Sequence, residues 1–200
     1  MKCIMVRHAE TKANADKKIY GWTESEYSML GEKQVEKLVE YLVLQNIDKI
    51  YASPLRRALT IAERVGKEKG IHIIKDDRLK EMNFGILEDM TYKEAKAKYK
   101  DHYDSFMKDF ENYVIPNGES FAQVHIRAKA FIDSIEETDE CLLMVAHGGV
   151  VRSLMLHLLD LNFKDTWHFE VPPATIIEID YDKGFGKLKQ FIPIGDQVKL

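Results

Sequence analysis

Residues 2–11 read Lys-Cys-Ile-Met-Val-Arg-His-Ala-Glu-Thr, an apolar run that stops abruptly at polar side chains. The apolar part predicts a strand buried on both faces, because such strands read as short continuous apolar runs. This strand delivers Arg7 and His8 at its carboxyl end. A second apolar run, Cys141–Ala146, ends at His147. Two strands that each end in a histidine, one of them beside an arginine, indicate a site for an anion.

Strand and helix signals alternate after the opening strand. Ser28 is a predicted helix N-cap, and apolar residues then recur at helical spacing from Val35 to Leu42. Residues 49–52 predict a second strand. Ser53-Pro54 predicts the next helix start, with serine as the N-cap and proline in the first turn. Residues 71–74 predict a third strand, and this order favours a largely parallel sheet covered by helices on both faces.

The middle of the chain has weaker periodicity and is rich in Lys, Asp, Glu and Tyr. Thr91 and Ser120 each open a predicted helix with a capping box. Residues 176–179 and 188–192 predict two final strands. We therefore expect one α/β domain over the whole chain, a three-layer α/β/α sandwich with a mostly parallel twisted sheet. Residues 83–118 are the predicted helical insertion, a lid over the active site.

Composition excludes some classes of partner. The 200 residues are 45% hydrophobic and 31% charged, with a net charge of -4, so nothing favours binding to nucleic acid. No apolar run approaches the roughly 18 to 20 residues that a membrane helix needs. The start lacks the pattern of a secretion signal, so a cytoplasmic location is expected. Cys3 and Cys141 are predicted to be buried reduced thiols.

Polar side chains fall at the carboxyl edge of the predicted sheet, where open α/β sheets bind ligands. Besides the two strand ends already described, Glu81 lies just beyond the third strand. Arg56 and Arg57 lie in the first turn of their helix, where backbone N–H groups and the helix dipole favour an anion. Both arginines flank the apolar stripe of that helix, so periodicity alone leaves the choice between them open.

These groups suit a phosphate dianion, because arginine forks match its oxygens and Gly148 and Gly149 allow close approach to a helix start. The sequence has no glycine-rich phosphate loop and no HExxH or CxxC pattern, so no metal or cofactor is expected. Phosphoryl transfer without a metal takes its charge neutralisation from side chains and backbone amides. Imidazole is then the natural nucleophile, and His8 is predicted to attack phosphorus.

With Arg7-His8, Glu81 and His147 in this order, the chain resembles the histidine phosphatase superfamily, in the branch related to cofactor-dependent phosphoglycerate mutase. The resemblance runs over most of the chain. Its segments are Arg7-His8-Ala9-Glu10-Thr11 with Asn14, Ser53 to Ala58, Leu79-Lys80-Glu81 with Phe84-Gly85, Asn117 to Ser120, and Ala146 to Gly149. Ala9 departs from the family pattern, which has glycine after the histidine.

The resemblance implies a role for each site residue. The family pattern places its arginine directly before an alanine, which selects Arg57 over Arg56. His8 is then the residue that becomes phosphohistidine, and Glu81 protonates the leaving oxygen. The groups expected to bind the phosphoryl group are Arg7, Arg57 and His147. The residues expected to bind substrate are Thr11, Asn14, Gly21 and Gly148.

The expected activity is hydrolysis of a small phosphorylated metabolite, because the chain is shorter than typical mutases of the family and a shorter lid admits water. Pro116–Ser120 is similar to a segment of α-ribazole-5′-phosphate phosphatases of cobalamin assembly, which makes α-ribazole 5′-phosphate the leading named substrate. The alternatives are a cofactor-dependent phosphoglycerate mutase and a non-catalytic module that binds a phosphorylated ligand. A monomer or a homodimer is expected, with no nucleic-acid or membrane partner.

Overall fold

The computed structural model describes residues 1–136 and 138–197. Its strands are β1 (Lys2–Arg7), β2 (Lys18–Ile19), β3 (Lys49–Ala52), β4 (Ile73–Lys75), β5 (Met90–Thr91), β6 (Cys141–Ala146), β7 (Thr175–Asp182) and β8 (Phe185–Pro193). Its α-helices are α1 (Lys12–Ala15), α2 (Met29–Val43), α3 (Arg56–Lys69), α4 (Tyr92–Lys98), α5 (Lys100–Lys108), α6 (Phe121–Asp133) and α7 (Gly148–Leu158). Short 3₁₀ helices occur at Asp77–Leu79, Gly85–Leu87, Phe163–His168 and Ile194–Gln197.

The central sheet has the strand order β4-β3-β6-β1-β7-β8. The pairs β4-β3, β3-β6 and β6-β1 are parallel, and β7 is antiparallel to both of its neighbours. Within these six strands β7 alone runs against the rest, so the prediction of a mostly parallel sheet is confirmed. Arg7 pairs with Ala146 in the register of β1 and β6, which brings His8 and His147 to the same edge.

Helices cover both faces of this sheet, which confirms the three-layer α/β/α prediction. Alternate residues of β1 point to opposite faces, as the pleat requires. Cys3 and Met5 enter an apolar cluster that contains residues of α6 and α7. Ile4 and Val6 enter a second cluster with residues of α2 and α3. Burial on both sides explains why this strand reads as a continuous apolar run.

The helix starts predicted at Ser28, Thr91 and Ser120 are confirmed. Each of these residues is an N-cap whose hydroxyl accepts a hydrogen bond from a backbone N–H of the first turn. Thr91 and Ser120 also form complete capping boxes, with Glu94 and Gln123 as the reciprocal partners. Capping residues that act within one turn are therefore readable from sequence alone.

The helix start predicted at Ser53-Pro54 is wrong. Helix α3 begins at Arg56, and its N-cap is Leu55, which has no capping side chain. The Ser53 hydroxyl accepts a hydrogen bond from the Leu55 N–H at 3.3 Å, and it also contacts a histidine of the neighbouring strand. The Ser53 hydroxyl therefore contacts His147 and does not cap the helix. Arg57 still lies in the first turn.

The predicted insertion, residues 83–118, forms α4 and α5 and the short strand β5. Strand β5 pairs antiparallel with β2, and this pairing attaches the insertion to the loop that follows β1. Gly85 adopts a positive φ of 50°, and a Cβ there would lie 2.1 Å from the carbonyl oxygen of Pro116, so only glycine fits. The insertion packs on the α6 side of the sheet through Leu87 and Phe106. Movement of this segment as a lid stays a prediction.

The two cysteines are free and buried, as predicted. Burial raises the pKa of the Cys3 thiol to about 12 and that of Cys141 to about 11, so neither is an activated thiolate. No helix in residues 1–136 or 138–197 is long and apolar enough to cross a bilayer.

Candidate active site

A cavity of about 490 Å³ opens at the carboxyl end of β1 and the start of α7. Of the residues predicted to form the site, its wall includes Arg7, His8, Asn14, Arg57, Glu81 and Gly148. These residues come from five separate segments of the chain. The sheet topology therefore brings together most of the predicted site.

His8 is a buried, neutral imidazole with one nitrogen directed at the site. Its Nδ1 lies 2.7 Å from the Ala9 carbonyl oxygen and donates to it, which leaves the lone pair on Nε2. Arg57 Nε donates to that Nε2 at 3.3 Å. Burial, together with the charges of Arg57 and Arg7, holds the pKa of His8 well below its ordinary value. A neutral imidazole is the nucleophilic form.

His147 lies beside His8, with ring centroids 5.1 Å apart, and Ser53 decides how its ring is protonated. The Ser53 hydroxyl lies 2.8 Å from His147 Nε2. It already accepts the Leu55 N–H, and its own proton has no other acceptor among the described residues. We therefore assign Ser53 as the donor to Nε2, which places the imidazole proton on Nδ1. Nδ1 is buried and has no partner among the described residues, which leaves it free to donate. His147 itself does not line the cavity, so its contact with a bound phosphoryl group stays a prediction.

Replacing Ser53 by alanine is expected to lower kcat by roughly tenfold, because a lost hydrogen bond of about 1.4 kcal/mol corresponds to that factor. The proton of His147 would then no longer be fixed on Nδ1. Ser53→Thr keeps the hydroxyl and serves as the matched control. Nitrogen NMR of the imidazole measures the tautomer directly. An alanine variant with unchanged kcat and an unchanged tautomer would remove this role from Ser53.

Arg57 is held rigidly against His8. It is only 2% exposed, and its guanidinium donates to the carbonyl oxygens of Gly21 and Thr23. The guanidinium also lies over the Tyr20 ring, 4.7 Å from the centroid. Arg56, in contrast, is exposed and pairs with Glu63 at 3.5 Å. The structure therefore places Arg57, and not Arg56, at the site.

The loop that anchors Arg57 is itself held by Glu88, a residue that sequence reasoning missed. The Glu88 carboxylate accepts hydrogen bonds from the backbone N–H groups of Gly21, Trp22, Thr23 and Phe84. Gly21 and Glu88 are 67 positions apart in the sequence, so no local pattern signals this contact. It joins the loop after β2 to the start of the insertion.

Thr11 and Gly21 do not line the cavity. Thr11 is buried, caps α1, and hydrogen-bonds the Tyr20 hydroxyl at 2.6 Å. A Cβ at Gly21 would lie 1.6 Å from the Met82 carbonyl oxygen, so glycine is required for the close approach of two backbones. Both residues support neighbouring groups, and their direct contact with substrate stays a prediction. Asn14 does line the cavity, and its Oδ1 accepts from the Tyr20 hydroxyl at 2.9 Å.

Glu81 lines the cavity beside the start of α7. Its Oε2 accepts the Gly149 N–H at 3.1 Å, and its Oε1 accepts the N–H of Met82 at 3.0 Å. Arg127 donates to the Glu81 backbone carbonyl at 3.0 Å and pairs with Glu119 at the same distance. The carboxyl group is thus fixed in direction by two amides, and the Glu81 backbone is held by Arg127 of α6, which also pairs with Glu119.

Gly149 leaves room for this carboxyl group. A Cβ at Gly149 would lie 2.6 Å from Glu81 Oε1 and 3.2 Å from the Phe121 ring, so Gly149→Ala should push Glu81 aside. We expect kcat to fall by about 10²-fold, the lower range for a displaced general acid, while the melting temperature changes little. Steady-state kinetics with two leaving groups measures the effect. An equal loss for good and poor leaving groups would argue against displacement of Glu81.

Arg7 carries a donor that the protein does not use. Its guanidinium donates to the Val171 carbonyl, while its Nε is buried with no partner among the described residues. Burial lowers the pKa of Arg7, and the charge of Glu81 opposes that shift. An unpaired buried N–H is costly unless a ligand satisfies it, so this atom indicates a bound anion.

The two buried histidines should make stability depend on pH. The pKa of His8 and of His147 lies well below the ordinary 6.5, chiefly because both are buried. At pH values between the native pKa and 6.5, the unfolded chain therefore binds more protons than the folded chain does. The stabilisation that each neutral histidine contributes is full above pH 6.5 and is lost as the pH falls below 6.5. Each histidine contributes up to about 1.4 kcal/mol per pH unit.

Urea unfolding at about pH 7.5 and about pH 5.5 measures this dependence. The wild type should lose more unfolding free energy on acidification than His8→Asn, which lacks one of the two titrating groups. Equal losses in the two proteins would mean that His8 is not held neutral by the fold.

Among the described residues, no three or more His, Cys, Asp or Glu side chains are grouped to hold a metal ion. Positive charge in the cavity comes from Arg7, Arg57, Arg152 and Lys18, and Lys18 is neutralised by Asp89 at 2.8 Å. Arg57 lies 4.0 Å from a carboxylate oxygen of Glu24, which offsets part of its charge. The remaining guanidinium charge and the unpaired N–H groups suit an anion.

Comparison with known proteins gives the family. The family model of the histidine phosphatase superfamily (branch 1) matches residues 3–192. Phosphoserine phosphatase 1 of Hydrogenobacter thermophilus is 29% identical over 84% of this chain and 81% of the relative. Adenosylcobalamin/alpha-ribazole phosphatase of Salmonella typhimurium is 31% identical over 94% of this chain and 95% of the relative.

A solved structure agrees with the sequence relatives. The alpha-ribazole phosphatase of Shigella flexneri superposes with a TM-score of 0.88 at 28% identity, covering 94% of this chain and 95% of the other. The chain belongs to branch 1 of the histidine phosphatase superfamily and is a phosphatase of that family.

Proposed function

We propose that the protein hydrolyses the phosphate monoester of a small metabolite through a phosphohistidine at His8, without a metal ion. The observation that carries this proposal is the buried neutral His8, whose Nε2 lone pair lies next to the guanidinium of Arg57. A phosphoryl group bound to that guanidinium is within reach of the nucleophile. Glu81 lines the same cavity and is available for the leaving oxygen.

In the first step, Nε2 of His8 attacks phosphorus as the bond from phosphorus to the ester oxygen breaks. Glu81 gives its proton to that oxygen, so the alcohol leaves neutral. Donors from Arg7, Arg57 and Nδ1–H of His147 offset the charge on the equatorial oxygens. Their N–H groups are fixed before substrate binds, which avoids reorganisation during the reaction.

In the second step, the Glu81 carboxylate takes a proton from water as the water oxygen attacks phosphorus. The bond from phosphorus to Nε2 breaks, which releases inorganic phosphate and restores neutral His8. One carboxyl group thus acts first as acid and then as base, and the proton that it gives to the leaving oxygen is replaced by the proton that it takes from water. Within residues 1–136 and 138–197, Glu81 is the one carboxyl-bearing residue on the cavity wall.

The finer proposal for the substrate is α-ribazole 5′-phosphate. Two relatives named for that activity support it, since each covers nearly the whole chain. Phosphoserine is the second candidate, because a relative of similar identity is named for it. We place the protein in the cytoplasm, as a monomer or a homodimer.

The test is a panel of esters assayed in EDTA, namely α-ribazole 5′-phosphate, phosphoserine, both phosphoglycerates and an aryl phosphate. Free phosphate and isomer formation are followed in parallel. The proposal expects phosphate release that EDTA does not reduce. Isomerisation of phosphoglycerate with little phosphate release would identify a mutase, and inhibition by EDTA would contradict the metal-free mechanism.

A further inference from the structure

The cavity extends beyond the phosphoryl-binding groups into an aromatic region. Phe106 and Phe110 come from the insertion, and Phe121 begins α6. The Phe110 centroid lies 5.0 Å from that of Phe106 and 5.1 Å from that of Phe121. All three rings line the cavity. One wall is therefore a continuous apolar surface, which a phosphoryl group alone does not need.

The mouth of the cavity has three exposed apolar side chains, Tyr92, Met107 and Trp167, which we call the rim. Each lines the cavity, and they are 55%, 55% and 62% exposed, respectively. They come from α4, α5 and a 3₁₀ helix, so no single amphipathic element explains their exposure. Large apolar side chains that gather at the mouth of a cavity mark a ligand-binding surface.

One residue of the rim, Trp167, is placed by Arg152 near the start of α7. The guanidinium of Arg152 lies 5.2 Å from the Trp167 ring centroid, and it donates to the Gly148 carbonyl at 3.3 Å. The next residue, Gly149, binds the carboxyl group of Glu81. Trp167 is thus tied to the same helix start that positions the proton donor for the leaving oxygen.

We infer that the rim binds a flat, apolar ring carried by the leaving group, so that the natural substrate is a phosphate monoester of an alcohol bearing an aromatic or heteroaromatic ring. This inference rests on the proposed function. A cavity of about 490 Å³ falls in the range that encloses drug-sized ligands, and a three-carbon alcohol would fill only part of it. Trp167 and Tyr92 offer faces for stacking, and Met107 offers an adaptable apolar contact.

Two esters that share the ribose 5-phosphate group test the inference: α-ribazole 5′-phosphate carries the aromatic ring on the anomeric carbon, and ribose 5-phosphate carries a hydroxyl there. The wild type should show the higher kcat/KM with the ring-bearing ester. In Trp167→Ala and Tyr92→Ala, kcat/KM for that ester should fall roughly tenfold or more, the size expected for loss of a stacked ring. The loss should come mainly from KM, and ribose 5-phosphate should be affected less than twofold.

Phe185→Ala is the matched control, because Phe185 is 64% exposed on β8 and does not line the cavity. It should leave both esters unchanged. Titration calorimetry of both esters against His8→Ala measures the ring preference even if turnover fails. Equal affinity for the two esters, or equal losses on both in the rim variants, would overturn the inference. If the proposed function failed and the inference held, no ester would release phosphate, but the ring-bearing ester would still bind more tightly than ribose 5-phosphate.

Discussion

His8→Ala should lower kcat by at least about 10⁴-fold toward every phosphate ester, because loss of the nucleophile removes the covalent route entirely. The phosphoryl-binding groups Arg7, Arg57 and His147 remain in this variant. KM should therefore change much less than kcat. Steady-state kinetics with an aryl phosphate, together with a binding measurement for inorganic phosphate, separates the two effects.

His8→Asn is the companion variant, since a buried alanine leaves an empty space at a fully packed strand end. An asparagine side-chain amide can still hydrogen-bond the Ala9 carbonyl that now accepts from His8 Nδ1. Both variants should be folded and equally inactive. Activity above a few per cent in either one would mean that another group attacks phosphorus.

Glu81→Gln should lower kcat by about 10²–10⁴-fold for esters of ordinary alcohols, the usual contribution of a general acid. The effect should shrink for an aryl ester such as a nitrophenyl phosphate, whose leaving oxygen needs no proton. The amide retains one acceptor oxygen, so one of the two backbone contacts of Glu81, with Met82 or with Gly149, persists. Rates across a series of leaving groups of graded acidity measure the dependence.

Glu26→Gln is a suitable control for the loss of one negative charge, because Glu26 is exposed and pairs with Lys12 away from the cavity. It should behave as the wild type with every ester. If Glu81→Gln lost the same factor across the whole leaving-group series, the proton-donor role would belong elsewhere.

The ends of strands β1 and β6 were predictable because a short apolar run is enough to signal a buried strand of a parallel sheet. The run before Arg7 and the run before His147 each signal a buried strand, and parallel strands end at a shared edge. Register then fixes the neighbours, with Arg7 opposite Ala146. The two histidines meet for that reason, although they are 139 positions apart in the sequence.

The supporting groups could not be predicted, since their partners are distant and backbone atoms dominate the contacts. Glu88 binds the N–H groups of a loop that follows β2, and Arg127 binds the carbonyl of Glu81. The sequence around Ser53 predicted a helix cap, and that prediction was wrong. The hydroxyl contacts His147 instead, and this contact depends on the pairing of β3 with β6, which no local pattern signals. Arg57 was distinguished from Arg56 by resemblance and not by periodicity, because burial decides between them only in three dimensions.

Trapping the covalent intermediate tests the central proposal most directly. The protein is mixed with an aryl phosphate in EDTA, quenched within one turnover, digested, and mapped by mass spectrometry. We expect one phosphoryl group per chain, on His8, stable to base and lost in acid, and absent from His8→Asn. A phosphoryl group on any other residue, or full turnover with no phosphorylated chain at any time point, would contradict the mechanism.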